Sequence, residues 1–243
     1  MTKYNDYDIR MKSYEAPFSQ VLPPRGYVVI RIDGKAFHTW TKICGFERPY
    51  DPKLRLAMCR TAIRVMREMD NAVIAYVQSD EVSFLMPQFG KNVSPWLGGK
   101  VQKLASVSAS LFTAHFVSDC IKNDWFVATF DARAFFIAEP IEVFNYFNWR
   151  YGDCIRNCVQ MYGQHVFSHK ELQGRSNVEV KQMLEEKGFV WADLPREPRF
   201  GTLISKEDGA LGSFDSEEFR SLVQKLISLP EYLQYVETEA SPI

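Results

Sequence analysis

The sequence predicts an α+β protein, with a ferredoxin-like unit over residues 1–138 and a mainly helical extension over 139–243. Hydrophobic periodicity over residues 27–136 runs strand, helix, strand, strand, helix, strand, and beyond Phe136 most apolar stretches repeat with helical spacing. Hydrophobic residues make up 46% of the 243, enough for a sizeable core without disulfide or metal staples.

Each element has its own signal. Tyr27–Ile32 is a β-branched run that stops at Asp33-Gly34. A helix follows over Pro52–Met69, with Asp51 as N-cap, Pro52 in the first position, and Leu54, Met58, Thr61, Val65 and Met69 on one face. Ala72–Val77 and Val82–Met86 form a hairpin closed by Gln78-Ser79-Asp80-Glu81. Residues 87–99 read as a loop, Lys100–Cys120 as a helix and Phe126–Phe136 as the fourth strand. In the extension, helices are expected over Ile141–Val166, Ser176–Lys187 and Ser216–Ile227, the last before Leu229-Pro230, with one strand over Gly201–Lys206. Ser168 with Glu171, and Ser176 with Glu179, each fit a capping box.

Composition sets outer limits. A formal net charge of -1 means that a polyanionic partner has to be held by a local basic surface. Five cysteines without a Cys-x-x-Cys pair, and an N-terminus without signal-peptide order, point to a reduced, cytoplasmic setting. No apolar run is expected to reach the ~18 residues of a membrane helix, so no membrane partner is expected.

Right-handed crossovers make the first two strands parallel with the third antiparallel between them. Asp33 and Asp80 then meet at one end of the sheet. Two carboxylates so placed repel unless cations lie between them, and Mg²⁺ favours carboxylates, water and phosphate oxygens. The arrangement points to two-metal nucleotidyl transfer. Topology alone does not choose between nucleotide-polymerising palm domains and RNA-binding modules, which share it.

Four segments occur in order: Arg31-Ile32-Asp33-Gly34-Lys35-Ala36-Phe37-His38, Gln78-Ser79-Asp80-Glu81-Val82-Ser83-Phe84, Phe130-Asp131-Ala132-Arg133, and Trp149-Arg150-x-x-Asp153. Together they resemble the tRNA-histidine guanylyltransferase family and its relatives, the 3′-to-5′ polymerases. The resemblance runs from Arg10-Met11-Lys12-Ser13-Tyr14-Glu15 to the strand at Gly201–Lys206. It implies a palm-type nucleotidyltransferase that adds nucleotides to the 5′ end of tRNA after ATP adenylylates a 5′-monophosphate. It implies two Mg²⁺ ions held by Asp33, Asp80 and the Gly34 carbonyl. Metal-site logic adds Glu81 as a candidate assisting acid, against the alternative of a solvated hairpin residue. ATP and GTP or another nucleoside triphosphate would be lined by Asp33, Gly34, Lys35, Ala36, Phe37, His38 and Ser79, with Arg48 and Lys103 near the triphosphate. It also implies a homotetramer.

Members dedicated to histidine tRNA carry a His-Ile-Asn-Asn run where this chain has Ile155-Arg156-Asn157-Cys158. That departure favours the branch associated with template-dependent repair of tRNA 5′ ends. Dedicated guanylate addition, a palm-fold nucleotide cyclase and a non-catalytic RNA-binding module are the alternatives. Bland readings accompany several residues: Asp131 can pair with Arg133, Cys154 and Cys158 can pack a helix rather than bind zinc, and Arg60, Arg64 and Arg67 can form a solvated helix face.

Overall fold

Strand alternation decides how this chain divides its core, because residues two apart on a strand share a face. The computed structural model describes residues 6–89 and 94–227; Leu229-Pro230 and positions 90–93 of the expected 87–99 loop lie outside them.

In chain order the elements are α1 (Asp6–Glu15), β1 (Tyr27–Gly34), α2 (Phe37–Ile43), α3 (Pro52–Glu68), β2 (Ile74–Gln78), β3 (Glu81–Pro87), α4 (Val101–Asn123) and β4 (Phe130–Ile137). There follow α5 (Pro140–Val166), α6 (His169–Leu172), α7 (Asn177–Glu186), α8 (Arg196–Phe200), β5 (Thr202–Ser205), β6 (Gly209–Gly212) and α9 (Ser216–Ile227). Six strands form one antiparallel sheet in the order β4-β1-β3-β2-β5-β6. The expected juxtaposition is present: β3 lies between β1 and β2, and Asp33 pairs with Glu81 in the β1–β3 register.

The α+β class holds, and the sheet is wider than expected. β5 pairs with β2 and β6 with β5, so residues from both sides of position 138 share one sheet. The short β6, Gly-Ala-Leu-Gly, has too little apolar pattern to be read as a strand; pairing with β5 defines it. α1, α2 and α8 were also not foreseen. α1 has no buried residue, which explains the missing periodicity. One expectation about membranes needs correction: α4, at 23 residues, has the length and composition of a membrane span. Its Leu104, Phe112, Phe116 and Cys120 are nevertheless packed in the core beneath the sheet.

One face of the sheet presents Val28, Ile30, Ile32, Ala75, Val77, Val82, Phe84 and Met86 to α3 and α4. The other presents Tyr27, Val29, Ile74, Tyr76 and Leu85 to Phe147, Tyr151 and Cys154 of α5 and to Phe219, Val223 and Ile227 of α9. Two capping boxes start α6 and α7 at Ser168 and Ser176 as the sequence predicts. Asp51 caps α3 by accepting from the Lys53 N–H at 2.8 Å, and its other oxygen accepts from the Glu47 N–H at 3.1 Å. This second bond ties down the 44–51 connection, which carries Arg48.

Candidate active site

The charged residues gather at one end of the α5-side face. Across β4, β1, β3 and β2 the register places Asp131, Asp33, Glu81 and Gln78 in one row, and Arg133, Arg31, Ser83 and Tyr76 in the next. Paired residues project to the same side, so the acidic row crosses the sheet where β1 ends and β3 begins.

Both turns there are conformationally unusual. Ser79, in the β2–β3 connection, has φ 49°, and Ala36, just before α2, has φ 55°. Non-glycine residues seldom take positive φ. The turns are joined directly: the Gly34 N–H donates to the Asp80 carbonyl at 3.1 Å, and the Lys35 N–H donates to the Thr129 carbonyl at 2.9 Å. Gly34 is required by close approach, since a Cβ there would lie 2.2 Å from the Phe37 ring. Phe37 in turn packs on Trp40, Phe116 and Phe130, and the Trp40 indole N–H donates to the Phe126 carbonyl at 2.9 Å. The turn after β1 is therefore anchored from beneath by an aromatic cluster.

Burial pushes the Asp80 carboxyl up to about 6, with the negative charge of Asp33 adding to the shift. Asp33 is also raised, first by burial and then by Asp131 across the β1–β4 pair. Arg31 and Arg133 of the adjoining row act to lower Asp33, and a further cation comes from Arg150 of α5, only 5% exposed. Its Nε donates to Glu81 Oε1 at 2.8 Å and its Nη2 to Glu81 Oε2 at 2.7 Å, while Nη2 also reaches Asp153 Oδ2 at 2.7 Å. The guanidinium lies over the Trp149 ring, 4.5 Å from the centroid.

A cleft of about 810 Å³ opens over this end. Asp33, Phe37, His38, Arg48, Ser79, Asp80 and Glu81 line it. Gly34, Lys35 and Ala36 occupy the adjoining turn without lining the cleft, and Phe37 contributes its edge while belonging mainly to the core. Lys103 is placed elsewhere. It sits in the first turn of α4, which is bridged to the segment before β1 through Val21 and Lys100, whereas the other end of α4 leads to the Asp33 end of the sheet.

Other residues in the cleft were not singled out from sequence: Tyr50, Arg55 and Glu197 line it, with Arg55 and Glu197 3.8 Å apart. No local motif marks them, because α3 and α8 meet only in the folded chain. Arg150 could have been recognised, since it belongs to the Trp149-Arg150-x-x-Asp153 element.

The bland readings are settled in part. Arg60 and Arg64 of α3 are engaged with Asp119 and Ser118 of α4, and Arg67 is exposed. Cys154 and Cys158 are buried thiols, each pushed up to about 12 by burial. Among the described residues no three His, Cys, Asp or Glu side chains converge as a metal cluster. Mg²⁺ does not require three, because it is commonly held by one or two carboxylates with water and phosphate oxygens completing its shell. Asp33, Asp80 and the Gly34 carbonyl are hard oxygen donors, and the repulsion that raises Asp80 is of the kind a divalent cation relieves. The donor set fits magnesium.

Residues 8–138 match the Thg1 family model, described as tRNAHis guanylyltransferase. A bacterial tRNA(His) guanylyltransferase (Thg1)-like protein in complex with ATP is 35% identical with a TM-score of 0.85, covering 92% of this chain and 100% of that one. Such a protein in complex with GTP is 30% identical with a TM-score of 0.77, covering 93% and 100%. The tRNA(His) guanylyltransferase of Schizosaccharomyces pombe is 37% identical over 176 residues, 71% of this chain and 64% of that protein.

Proposed function

We propose that this chain, which belongs to the tRNAHis guanylyltransferase family and is a nucleotidyltransferase of it, repairs shortened tRNA 5′ ends by template-dependent 3′-to-5′ addition. The observation that carries the reading is the half-buried carboxylate Asp80 beside Asp33, at the end of the sheet and facing a cleft large enough for a nucleotide. Support for repair over dedicated guanylate addition comes from Ile155-Arg156-Asn157-Cys158. Only Asn157 of that run lines the cleft through a polar side chain, and Cys158 is buried beneath α7. The ATP and GTP complexes of bacterial Thg1-like proteins support two nucleotide roles, activator and incoming substrate.

In the reaction proposed, an oxygen of the tRNA 5′-monophosphate attacks the α-phosphorus of ATP, and pyrophosphate leaves. The 3′-hydroxyl of the incoming nucleotide then attacks the activated 5′-phosphorus, AMP leaves, and the hydroxyl proton is lost to solvent. Asp33, Asp80 and the Gly34 carbonyl would hold two Mg²⁺ ions, which when bound neutralise the triphosphate and acidify the attacking hydroxyl. The chain's own work is placement. The Gly34–Asp80 backbone bond fixes the two acids relative to each other, and His38 and Arg48, which line the same cleft, would offer hydrogen-bonding and cationic groups to the phosphates. Phosphoryl transfer consists largely of such positioning and charge neutralisation.

We assign catalysis to residues 1–138 and RNA contact and an oligomer interface to 139–243, with a cytoplasmic homotetramer as the assembly. The test is Mg²⁺-dependent incorporation of each of the four nucleoside triphosphates onto 5′-monophosphorylated tRNAs lacking the first nucleotide. Addition should follow Watson–Crick pairing to the opposite base and disappear in Asp33→Ala and Asp80→Ala. Indifference to the template base would return the assignment to dedicated guanylate addition, and cyclic product formed without RNA would replace it with a cyclase.

A further inference from the structure

Glu81 follows Asp80 directly and lies opposite Asp33, so sequence alone makes it a third acid of the same group. Its surroundings say otherwise. Both carboxylate oxygens are taken by Arg150, and Oε1 also accepts from Gln78 Nε2 at 3.0 Å. Gln78 and Glu81 are the cross-strand pair that closes the β2–β3 turn, and Ser79-Asp80 is the loop between them. Arg150 therefore grips the base of the turn that presents Asp80. It also bonds Asp153 one helical turn further along α5, and Asp153 Oδ1 accepts from Arg156 Nη2 at 2.7 Å, so the grip is built into a helix packed across the sheet. The side chains of Arg150 and Glu81 are 6% and 13% exposed. A bidentate guanidinium–carboxylate pair at that burial fixes geometry as well as charge.

We propose that Arg150 is a positioning residue for nucleotidyl transfer, neutralising Glu81 and clamping the 78–81 turn so that, of the two neighbouring acids, Asp80 and not Glu81 faces the cations beside Asp33. This rests on the nucleotidyl-transfer reading of the site and changes one assignment within it: Glu81 is the clamp's anchor and not a cation ligand. The physical reason is charge. Four carboxylates, Asp33, Asp80, Glu81 and Asp131, share one end of the sheet, and Arg150 is the cation bonded to Glu81. Removing one partner of a buried pair leaves an uncompensated charge, whereas removing both can be close to neutral.

The experiment compares wild type with Asp80→Asn, Glu81→Gln, Arg150→Met and the double variant Glu81→Gln/Arg150→Met. It uses three readouts: Mn²⁺ binding by electron paramagnetic resonance, thermal midpoint, and nucleotide addition as kcat and KM. Arg150→Met should lose about 10–100-fold in kcat, the usual cost of removing a group that orients cation-binding residues. Its Mn²⁺ affinity should hold or tighten, because the released Glu81 carboxylate offers an additional, unproductive ligand. The double variant should regain about tenfold in kcat over Arg150→Met, since the stray charge is gone. Glu81→Gln alone should keep Mn²⁺ affinity within about threefold while Asp80→Asn loses at least about tenfold.

Loss of Mn²⁺ affinity in Glu81→Gln comparable with that in Asp80→Asn would overturn the proposal, because Glu81 would then be a ligand. Equal kcat in the double variant and Arg150→Met would also overturn it, as would kcat falling only in step with the thermal midpoint. The Mn²⁺ readout needs no acceptor RNA. If wild-type protein adds nothing to any tRNA, the functional reading fails while the Mn²⁺ pattern still decides the role of Arg150.

Discussion

The two faces of the sheet are built from alternate residues of the same strands, yet they treat charge differently. Towards α3 and α4, β1 shows Val28, Ile30 and Ile32, apolar to its end. Towards α5, the same strand shows Tyr27 and Val29, then Arg31, then Asp33. A strand whose every second residue is in the core is held rigidly from one side. Its other side is then free to carry like charges that would be intolerable in a core, because the fold does not depend on them. The division separates stability from chemistry residue by residue, and each prediction below tests that separation.

The largest expected effect lies on the charged side. Asp33→Asn and Asp80→Asn should each lower nucleotide addition by at least about 10²-fold, the scale of losing one principal electrostatic element of a phosphoryl-transfer site. Both variants should be as stable as wild type or more so in chelator, since burial and repulsion disfavour these carboxylates. A cooperative loss of stability in either, measured by urea unfolding, would show that the acids support the fold and would break the comparison.

The opposite face should behave in the opposite way. Phe84 is fully buried between the sheet and the α3–α4 layer. Phe84→Ala should cost about 3–5 kcal/mol of stability through lost burial and the cavity it leaves. The protein that remains folded should retain most of its specific activity. Activity lost well below the unfolding transition would mean that core packing on this side also sets the site.

How much of this was legible in the sequence depends on distance along the chain. The end-to-end placement of Asp33 beside the 78–81 turn follows from strand order and handedness, because both acids terminate apolar runs whose period is plain. The α3 cap and the two capping boxes were readable because each is closed within four residues. What was not readable depends on contacts between distant segments. Glu81 reads from its neighbours as a site acid, and its bond to Arg150, 69 positions away, exists only in the folded chain. Lys103 is placed near the triphosphate by the family resemblance, and nothing in its helix tells which end of it faces the site. Likewise β6 has no pattern of its own, and only β5 makes it a strand.

An intermediate effect should appear with pH. Asp80 is raised to about 6 in the folded protein, against about 3.9 for an aspartate in an unfolded chain. Between those values the native state holds a proton that the unfolded state has released. Its contribution to stability is therefore complete below about pH 4 and is lost as pH rises through about 6, a loss of roughly 3 kcal/mol. Urea unfolding of chelated protein should show this loss in wild type relative to Asp80→Asn, and Mg²⁺ at pH 7.5 should restore stability in wild type alone. A variant whose pH profile matches that of wild type would place the titration elsewhere.

The smallest effect concerns a second charged cluster, on the helical side. Asp119 of α4 is 3% exposed and accepts from Arg60 Nε at 3.1 Å, with Arg64 3.9 Å away. Here, as with Glu81, an arginine from another element compensates a buried carboxylate, but neither Arg60 nor Asp119 lines the cleft. Both arginines are about two-fifths exposed, so water shares in screening the pair and its contribution is limited. Arg60→Ala should lower stability by about 1–2 kcal/mol, because it leaves Asp119 with less compensation. Arg60→Ala/Asp119→Asn should recover most of that. In both variants kcat should stay within about twofold of wild type, in contrast to the loss expected at Arg150. The two ion pairs would then differ in exposure and in what each clamps: Arg60 joins two helices from a partly solvated position, and the buried Arg150 holds the turn that carries Asp80. If Arg60→Ala reduced kcat as strongly as Arg150→Met, the helical layer would also be setting the geometry of the acids, and the separation of the two faces would fail where α3 and α4 meet.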